Sequence, residues 1–335
     1  MSVLKLSIII PYHNEDSNLI VNLLSSLNMQ VKVDWSKIEI IISNNCDEPK
    51  KLDSIFKQYK NIYPAIKYVE CPIKGGMGQN RQYGLNIAAG EYVLFSDCDD
   101  HLTSPLSIAN ILKELDEGHN LYMSNIKVES PSAVNPLMIK IEDRGIHYLL
   151  HGKIYKRKFL IDRGIHFCEH IFAAEDMYFN FICSHFGEEF HIIDGFYMWK
   201  YRSSSVSNAT GLGSIGYMNK YPIDTMIFLY YAVRDMKLSG FLSEREISKV
   251  SAHALIYLQR EGYRLLSTDT LAADIGKLIL SEFPVDESEI NNSYPEAIKW
   301  IRSLDISDVE DVRNKYNVKS NMKFEYKHTE IKYIK

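Results

Sequence analysis

Apolar positions fall into short runs broken by polar loops. Residues 4–10 end in Ile8-Ile9-Ile10, the pattern of a strand covered on both faces, and Pro11 stops it. After the polar stretch Tyr12-His13-Asn14-Glu15-Asp16-Ser17, apolar side chains recur at Leu19, Ile20, Leu23, Leu24 and Leu27. That spacing predicts a helix capped by Asp16 or Ser17. A second strand over 38–42 ends in Ser43-Asn44-Asn45-Cys46-Asp47, and Pro49 is expected to open a helix carrying Leu52, Ile55, Phe56 and Tyr59. A third strand over 66–69 runs towards Lys74-Gly75-Gly76-Met77-Gly78; a helix with Arg81, Leu85 and Ala88 follows, and Gly90 is placed to cap it. Strand, loop and helix alternate four times within 117 residues, which predicts an α/β fold with a mostly parallel sheet flanked by helices. The loops after Ile10, Ile42 and Phe95 leave strand C-terminal ends, where such sheets bind ligands.

Over 121–208 the pattern is less regular, with short strands expected at 121–128, 190–193 and 196–200. A basic segment, His151-Gly152-Lys153-Ile154-Tyr155-Lys156-Arg157, lies between the first two. Ala174-Glu175-Asp176 opens a helix through Met177, Tyr178, Phe181 and Ile182, and acids in a first turn are favoured by the helix dipole. Gly211-Leu212-Gly213-Ser214 reads as a linker, and helices are expected at 221–236, 244–265, 271–283, 294–301 and 309–316. The expected division is residues 1–210, an α/β catalytic domain, and 211–335, a helical region serving the acceptor site, oligomerisation or membrane proximity.

Composition narrows the function classes. A net charge of −5 in 335 residues gives no global attraction to nucleic acid. No apolar run approaches the roughly 20 residues that span a bilayer, and the start is strand-like rather than a leader, so a cytoplasmic protein is expected, at most at the inner membrane face. The tail 319–335 is modestly basic, with Phe324, Tyr326 and Tyr333 interleaved, and is a candidate for contact with lipid headgroups or an anionic acceptor. Five widely spaced cysteines without a C-x-x-C pair fit small buried residues in a reducing compartment.

The chemistry concentrates in Glu91-Tyr92-Val93-Leu94-Phe95-Ser96-Asp97-Cys98-Asp99-Asp100, where a strand runs into three carboxylates within four positions. Like charges so close need water or a cation, and hard oxygen donors suit Mg²⁺ or Mn²⁺. If the chain stays extended, Asp97 and Asp99 share one face and Cys98 turns inward. An acidic turn before a helix near Thr103-Ser104-Pro105 is the competing reading.

Three segments together resemble the family 2 glycosyltransferases of the GT-A fold: Leu6-Ser7-Ile8-Ile9-Ile10-Pro11-Tyr12-His13-Asn14-Glu15-Asp16, Lys74 through Asn86 around the glycine loop, and Gly90 through Asp100 with its DxD-type Asp97-Cys98-Asp99. Ala174-Glu175-Asp176 is similar to that family's catalytic segment, and the basic segment and Tyr201-Arg202-Ser203-Ser204-Ser205-Val206-Ser207 to segments of its cell-surface members. The resemblance implies a nucleotide-sugar donor, a divalent metal (Mn²⁺ or Mg²⁺) and inverting transfer to a glycan or polyol hydroxyl, in surface polysaccharide, teichoic acid or related glycan synthesis. It also implies the roles. Asp99 would hold the metal, Asp97 would share it or contact the ribose, and Asp100 would assist. Asp176 would be the base, with Glu175 beside it. Pro11, His13, Asn14, Glu15, Asn44, Asn45, Gly76, Arg81, Asp97, Cys98 and Lys153 would line the donor site. Two departures stand out: His13 replaces an aromatic residue, and Asn44-Asn45-Cys46-Asp47 replaces Asp-Asp-Gly-Ser. A UDP-sugar is favoured, with the nucleotide left open by the amides, which both donate and accept. A nucleotidyltransferase and a non-catalytic glycan or nucleotide-sugar binding module are the competing functions.

Overall fold

A computed structural model describes residues 4–46, 52–60, 62–63, 65–73, 76–129, 137–140, 148–186, 189–200, 221–265, 269–291 and 294–318. Pro49, Lys74, Gly75, residues 144–147 and 201–207, the 211–214 linker and the 319–335 tail lie outside them. Among the described residues two compact units form. One comprises 4–172 with 189–200, the other 173–186 with 221–318.

The first unit is built on a sheet that follows the expected start. Strands β1 (Leu6–Tyr12) and β2 (Ile38–Asn44) are buried along their whole length and pair in parallel, Leu6 opposite Ile38 and Tyr12 opposite Asn44. β3 (Ile66–Glu70) extends the sheet beyond β2, and β4 (Tyr92–Phe95) lies parallel to β1 on its other side. Helix α1 (Ser17–Asn28) buries Ile20, Leu23, Leu24 and Leu27, and the Asp16 carboxylate caps it by accepting from Asn18 N at 2.9 Å. Helices α2 (Asp53–Lys60) and α3 (Met77–Ile87) follow β2 and β3.

Gly90 does not cap α3, which closes at Ala88 in an extended conformation. The glycine is required by close approach instead: a Cβ there would lie 2.6 Å from the Ser7 amide nitrogen. The same corner holds Glu39 of β2, fully buried, which accepts from Ser7 Oγ (2.6 Å), Lys67 Nζ (2.6 Å), Ala89 N (2.5 Å) and Gly90 N (3.2 Å). Burial alone would lift its carboxyl, yet these donors hold it below the usual carboxylate range.

Beyond β4 the sheet is mixed. After β5 (His101–Leu102) and α4 (Ser107–Glu114) come β6 (Leu121–Glu129), β7 (Leu137–Ile139), β8 (Lys153–Lys156), α5 (Arg157–Asp162), α6 (Glu175–His185) and β9 (His191–Lys200). The order is β3-β2-β1-β4-β8-β6-β9-β5, with β7 on β6. β8 is antiparallel to both β4 and β6, whereas β6 and β9 are parallel. The parallel pairings of the mostly parallel sheet expected are those of the first four strands and of β6 with β9. The basic segment supplies the strand that reverses direction, and the two strands expected at 190–193 and 196–200 are one, with an irregular register opposite Ser124 and Ile126.

In the second unit α6 packs on α7 (Asp224–Ser239), which is buried from Thr225 to Met236. Tyr178 Oη donates to Asp235 Oδ2 at 2.6 Å, and Arg234 Nε to Asp235 Oδ1 at 2.8 Å. Helices α8 (Glu244–Leu265), α9 (Asp269–Glu282), α10 (Glu287–Asn291), α11 (Pro295–Ser303) and α12 (Val309–Lys315) complete it. The unit takes in α6 as well as the C-terminal helices, earlier than the division expected at residue 210. No described helix is long and apolar enough to cross a membrane. All five cysteines are buried and free.

Candidate active site

Three strand ends bring the first unit's polar loops together. At the end of β1, Pro11 is buried where its missing N–H costs no ladder bond, and His13 and Asn14 are exposed. The Glu15 carboxylate accepts from His13 N at 2.6 Å, and Tyr12 Oη donates to Glu15 O at 2.7 Å. Burial raises the Glu15 carboxyl, against the pull of the His13 N–H, and the Asp99 charge adds to the rise.

The two asparagines after β2 are held from within. Asn44 Nδ2 donates to Tyr68 Oη at 2.5 Å while its Oδ1 accepts from Cys46 N at 2.9 Å. Asn45 Oδ1 meets His13 Nδ1 at 2.9 Å. Asn80 of α3, fully buried, ties both loops to the helix: its Nδ2 donates to Tyr12 O at 2.9 Å and its Oδ1 accepts from Ser43 Oγ at 2.5 Å. These amides thus shape the loops, and Asn45 steadies the exposed His13 ring. Asn80 was not singled out from sequence, although it lies inside the glycine-loop segment. Gly76 precedes α3, where a Cβ would lie 2.7 Å from Phe172 O, so the protein's own backbone already demands glycine there.

The acidic loop departs from the extended path expected of it. Asp100 N donates to Asp97 O at 3.1 Å, a tight turn across Cys98 and Asp99 that brings Asp97 and Asp100, rather than Asp97 and Asp99, to one point. The Cys98 thiol packs into the sheet core as expected, and Asp99 is partly exposed. Arg81, almost fully buried, places Nη2 2.7 Å from Asp97 Oδ1. His151 Nε2 lies 3.3 Å from Asp97 Oδ2 and 3.6 Å from Asp100 Oδ2, its ring stacked on Trp199 at 5.6 Å. Tyr197 Oη donates to Asp100 Oδ2 at 2.6 Å and accepts from Asp97 N at 3.1 Å, and Lys200 N donates to Asp100 Oδ1 at 2.9 Å.

These surroundings drive the two acids apart. Burial opposes ionisation of Asp97, but Arg81 and His151 outweigh it and hold the carboxyl well below the usual range. Asp100 is pushed up to about 8 by burial, opposed by His151 and reinforced by the Asp99 and Asp97 charges. Ligand atoms of Asp97, Asp100 and His151 all lie within 4.8 Å of one another. His151 was seen only as part of a basic segment; its approach to the acids depends on β8 and β9, which no local signal announces.

Lys153 does not fit the donor contact expected of it. It is fully enclosed, donates to Leu149 O, and lies 5.6 Å from the Phe190 ring centre. A lysine in that setting supports the sheet.

In the second unit, Ala174 precedes α6 with φ 61° and ψ 23°, a left-handed conformation rare for a residue with a Cβ. Glu175 is buried, and Asp176 Oδ1 accepts from Met177 N at 2.8 Å while its carbonyl takes Asn180 Nδ2 at 3.0 Å. The acids open the helix as their first-turn position predicts.

Comparison with known proteins adds an independent line. Poly(ribitol-phosphate) beta-N-acetylglucosaminyltransferase TarS of Staphylococcus aureus is 29% identical over 188 residues, 53% of this chain and 32% of TarS. Poly(ribitol-phosphate) beta-glucosyltransferase of Bacillus spizizenii is 32% identical over 52% of this chain and 29% of its own length. The matches therefore span about a third of these relatives. The crystal structure of S. aureus TarS 1–349 in complex with UDP-GlcNAc superposes with a TM-score of 0.68 at 21% identity, covering 94% of this chain and 92% of that one. That likeness establishes the GT-A fold with a helical C-terminal region. Residues 7–179 match the family described as glycosyl transferase family 2. The chain belongs to glycosyl transferase family 2.

Proposed function

We propose that this chain transfers a sugar from a UDP-sugar to a hydroxyl of a polyol-phosphate or related surface glycan, with inversion at the anomeric carbon. The observation that carries the reading is the acid cluster at the C-terminal end of β4, set by Arg81 and His151 beside the polar loops of β1 and β2. The named activities of the S. aureus and B. spizizenii relatives support the substrate class.

Burial raises the Glu15 and Asp100 carboxyls and neighbouring acid charge adds to both, that of Asp99 on Glu15 and those of Asp99 and Asp97 on Asp100, a local surplus that suits a hard divalent cation. The partly exposed Asp99, with the Asp97, Asp100 and His151 cluster beside it, would hold Mn²⁺ or Mg²⁺; when bound, the ion offsets charge developing on the diphosphate leaving group. The chain's own residues do the rest. Arg81 fixes the Asp97 rotamer, and His13, steadied by Asn45, offers an exposed ring face to the nucleobase. Asp176 takes the proton of the attacking hydroxyl, with Glu175 buried beside it. The left-handed Ala174 immediately before this pair supports that role, since backbone strain gathers at functional positions. We assign the reaction to the cytoplasm, which the five free, buried cysteines favour.

A test combines donor titration and product analysis with UDP-GlcNAc and UDP-glucose, with and without Mn²⁺. Asp99→Ala should abolish metal-dependent donor binding, whereas Asp176→Ala should keep donor affinity and lose transfer. Release of sugar 1-phosphate in place of UDP, with UMP passed to the acceptor, would identify a nucleotidyltransferase. Full turnover by Asp176→Ala would remove the base assignment.

A further inference from the structure

We propose that Glu117, His119 and His191 form a second, transition-metal site, suited to Zn²⁺, on the sheet edge opposite the acidic loop. Glu117 closes the short turn Leu115–Glu117 after α4, His119 follows one residue later, and His191 opens β9, where it pairs with Tyr122 of β6. Both strands begin here. Because β6 runs parallel to β4 across the intervening antiparallel β8, their starting ends lie away from the end of β4 that carries Asp97.

The three ligand atoms lie close enough together to share one ion. Glu117 Oε2 lies 3.4 Å from His119 Nε2 and 3.3 Å from His191 Nε2, and the three ligand atoms fall within 4.8 Å of one another. Tetrahedral zinc with bonds of about 2.0–2.1 Å sets neighbouring ligand atoms about 3.3 Å apart. The imidazoles stack at 4.1 Å with planes 10° apart, and both rings stand edge-on to Tyr122. The in-plane lone pairs of the stacked rings run nearly parallel, so an ion would engage both only after each ring turns towards it. Tyr122 Oη accepts from His119 N at 3.0 Å and donates to Glu114 O at 3.1 Å, fixing the loop that carries two of the ligands. Gly118, at φ 86°, makes the reversal that sets Glu117 and His119 on the same side.

Two imidazoles and one carboxylate favour Zn²⁺ over the Mg²⁺ or Mn²⁺ suited to an all-carboxylate loop. Three protein ligands leave a fourth position for water or an outside group. All three side chains are at least partly exposed, so the site is open to metal without unfolding.

The test is Zn²⁺ competition against a chromophoric chelator on the full chain, with excess Mg²⁺ present to occupy hard-oxygen sites. One equivalent should bind, Asp97→Asn/Asp99→Asn should retain it, and His119→Ala/His191→Ala should weaken it at least tenfold. Should the double histidine variant misfold by circular dichroism, Glu117→Gln decides, with the same tenfold loss expected. Co²⁺ in the wild type should give visible absorption of tetrahedral intensity. Equal zinc affinity in the wild type and the Glu117 or histidine variants, loss of the site in the acidic-loop variant instead, or no bound equivalent in the wild type would overturn the proposal.

Discussion

Glu39→Gln tests how the corner beneath β4 is held. Glu39 is fully buried and accepts from Lys67 Nζ through Oε2, and from Ser7 Oγ, Ala89 N and Gly90 N through Oε1. Glutamine keeps a carbonyl for the second set but turns an NH₂ towards the Lys67 ammonium. Three charge-assisted bonds become neutral ones, each weaker by about 0.5–1 kcal/mol. Loss of the lysine pair adds about 1 kcal/mol, since Lys67 is a third exposed and can rehydrate. Relief from burying a charge returns part of this, leaving a net loss of about 2–3 kcal/mol at neutral pH.

The sign with pH is fixed by the depressed folded-state pKa. The contribution is fully present above the unfolded value of about 4.3 and is lost as pH falls through the folded one. Wild type and Glu39→Gln should therefore begin to converge below about pH 4.3 and meet only below the lower folded-state value. Urea unfolding in a Trp300→Phe background isolates the sheet unit, because the other two tryptophans, Trp35 and Trp199, both lie in it. A gap under about 0.5 kcal/mol at pH 7, or one that does not narrow as pH falls below about 4, would mean that the Glu39 charge does not hold this corner.

Two further outcomes are expected. Arg81→Met removes the nearly buried partner of Asp97 and should cost the sheet unit about 3 kcal/mol, with donor affinity measured by calorimetry falling as well; unchanged affinity would free Asp97 from any dependence on the arginine. Ala174→Gly relaxes a left-handed residue worth about 1 kcal/mol, so the melting temperature should hold or rise while kcat falls and KM stays; a kcat equal to wild type would sever the strained backbone from the chemistry.

The parts of the fold that were legible carry their signal locally. β1, β2 and β4 are apolar because helices cover both faces, and α1 announces itself through Asp16 and a regular stripe. β8 was hidden because lysines bracket Ile154 and Tyr155, and the enclosed Lys153 reads as surface. Two-residue β5 is too short for any periodicity. The acidic loop was recognisable as a concentration of carboxylates at a strand end, but its turn depends on contacts with Tyr197 and Lys200, about 100 positions away, and on His151. Asn80 and His151 are single polar residues whose role depends on the loops that tertiary structure delivers to them.

The fastening of Asp100 by Tyr197 and Lys200 bears on how the molecule acquires its shape during synthesis. The parallel strands around β1 can assemble once residue 95 is made, whereas the turn at Cys98 and Asp99 gains its clasp only when β9 has been translated and docked. The acidic edge is thus among the last parts of the sheet to settle, and a chain stopped short of β9 would have the parallel strands but an unset acidic turn.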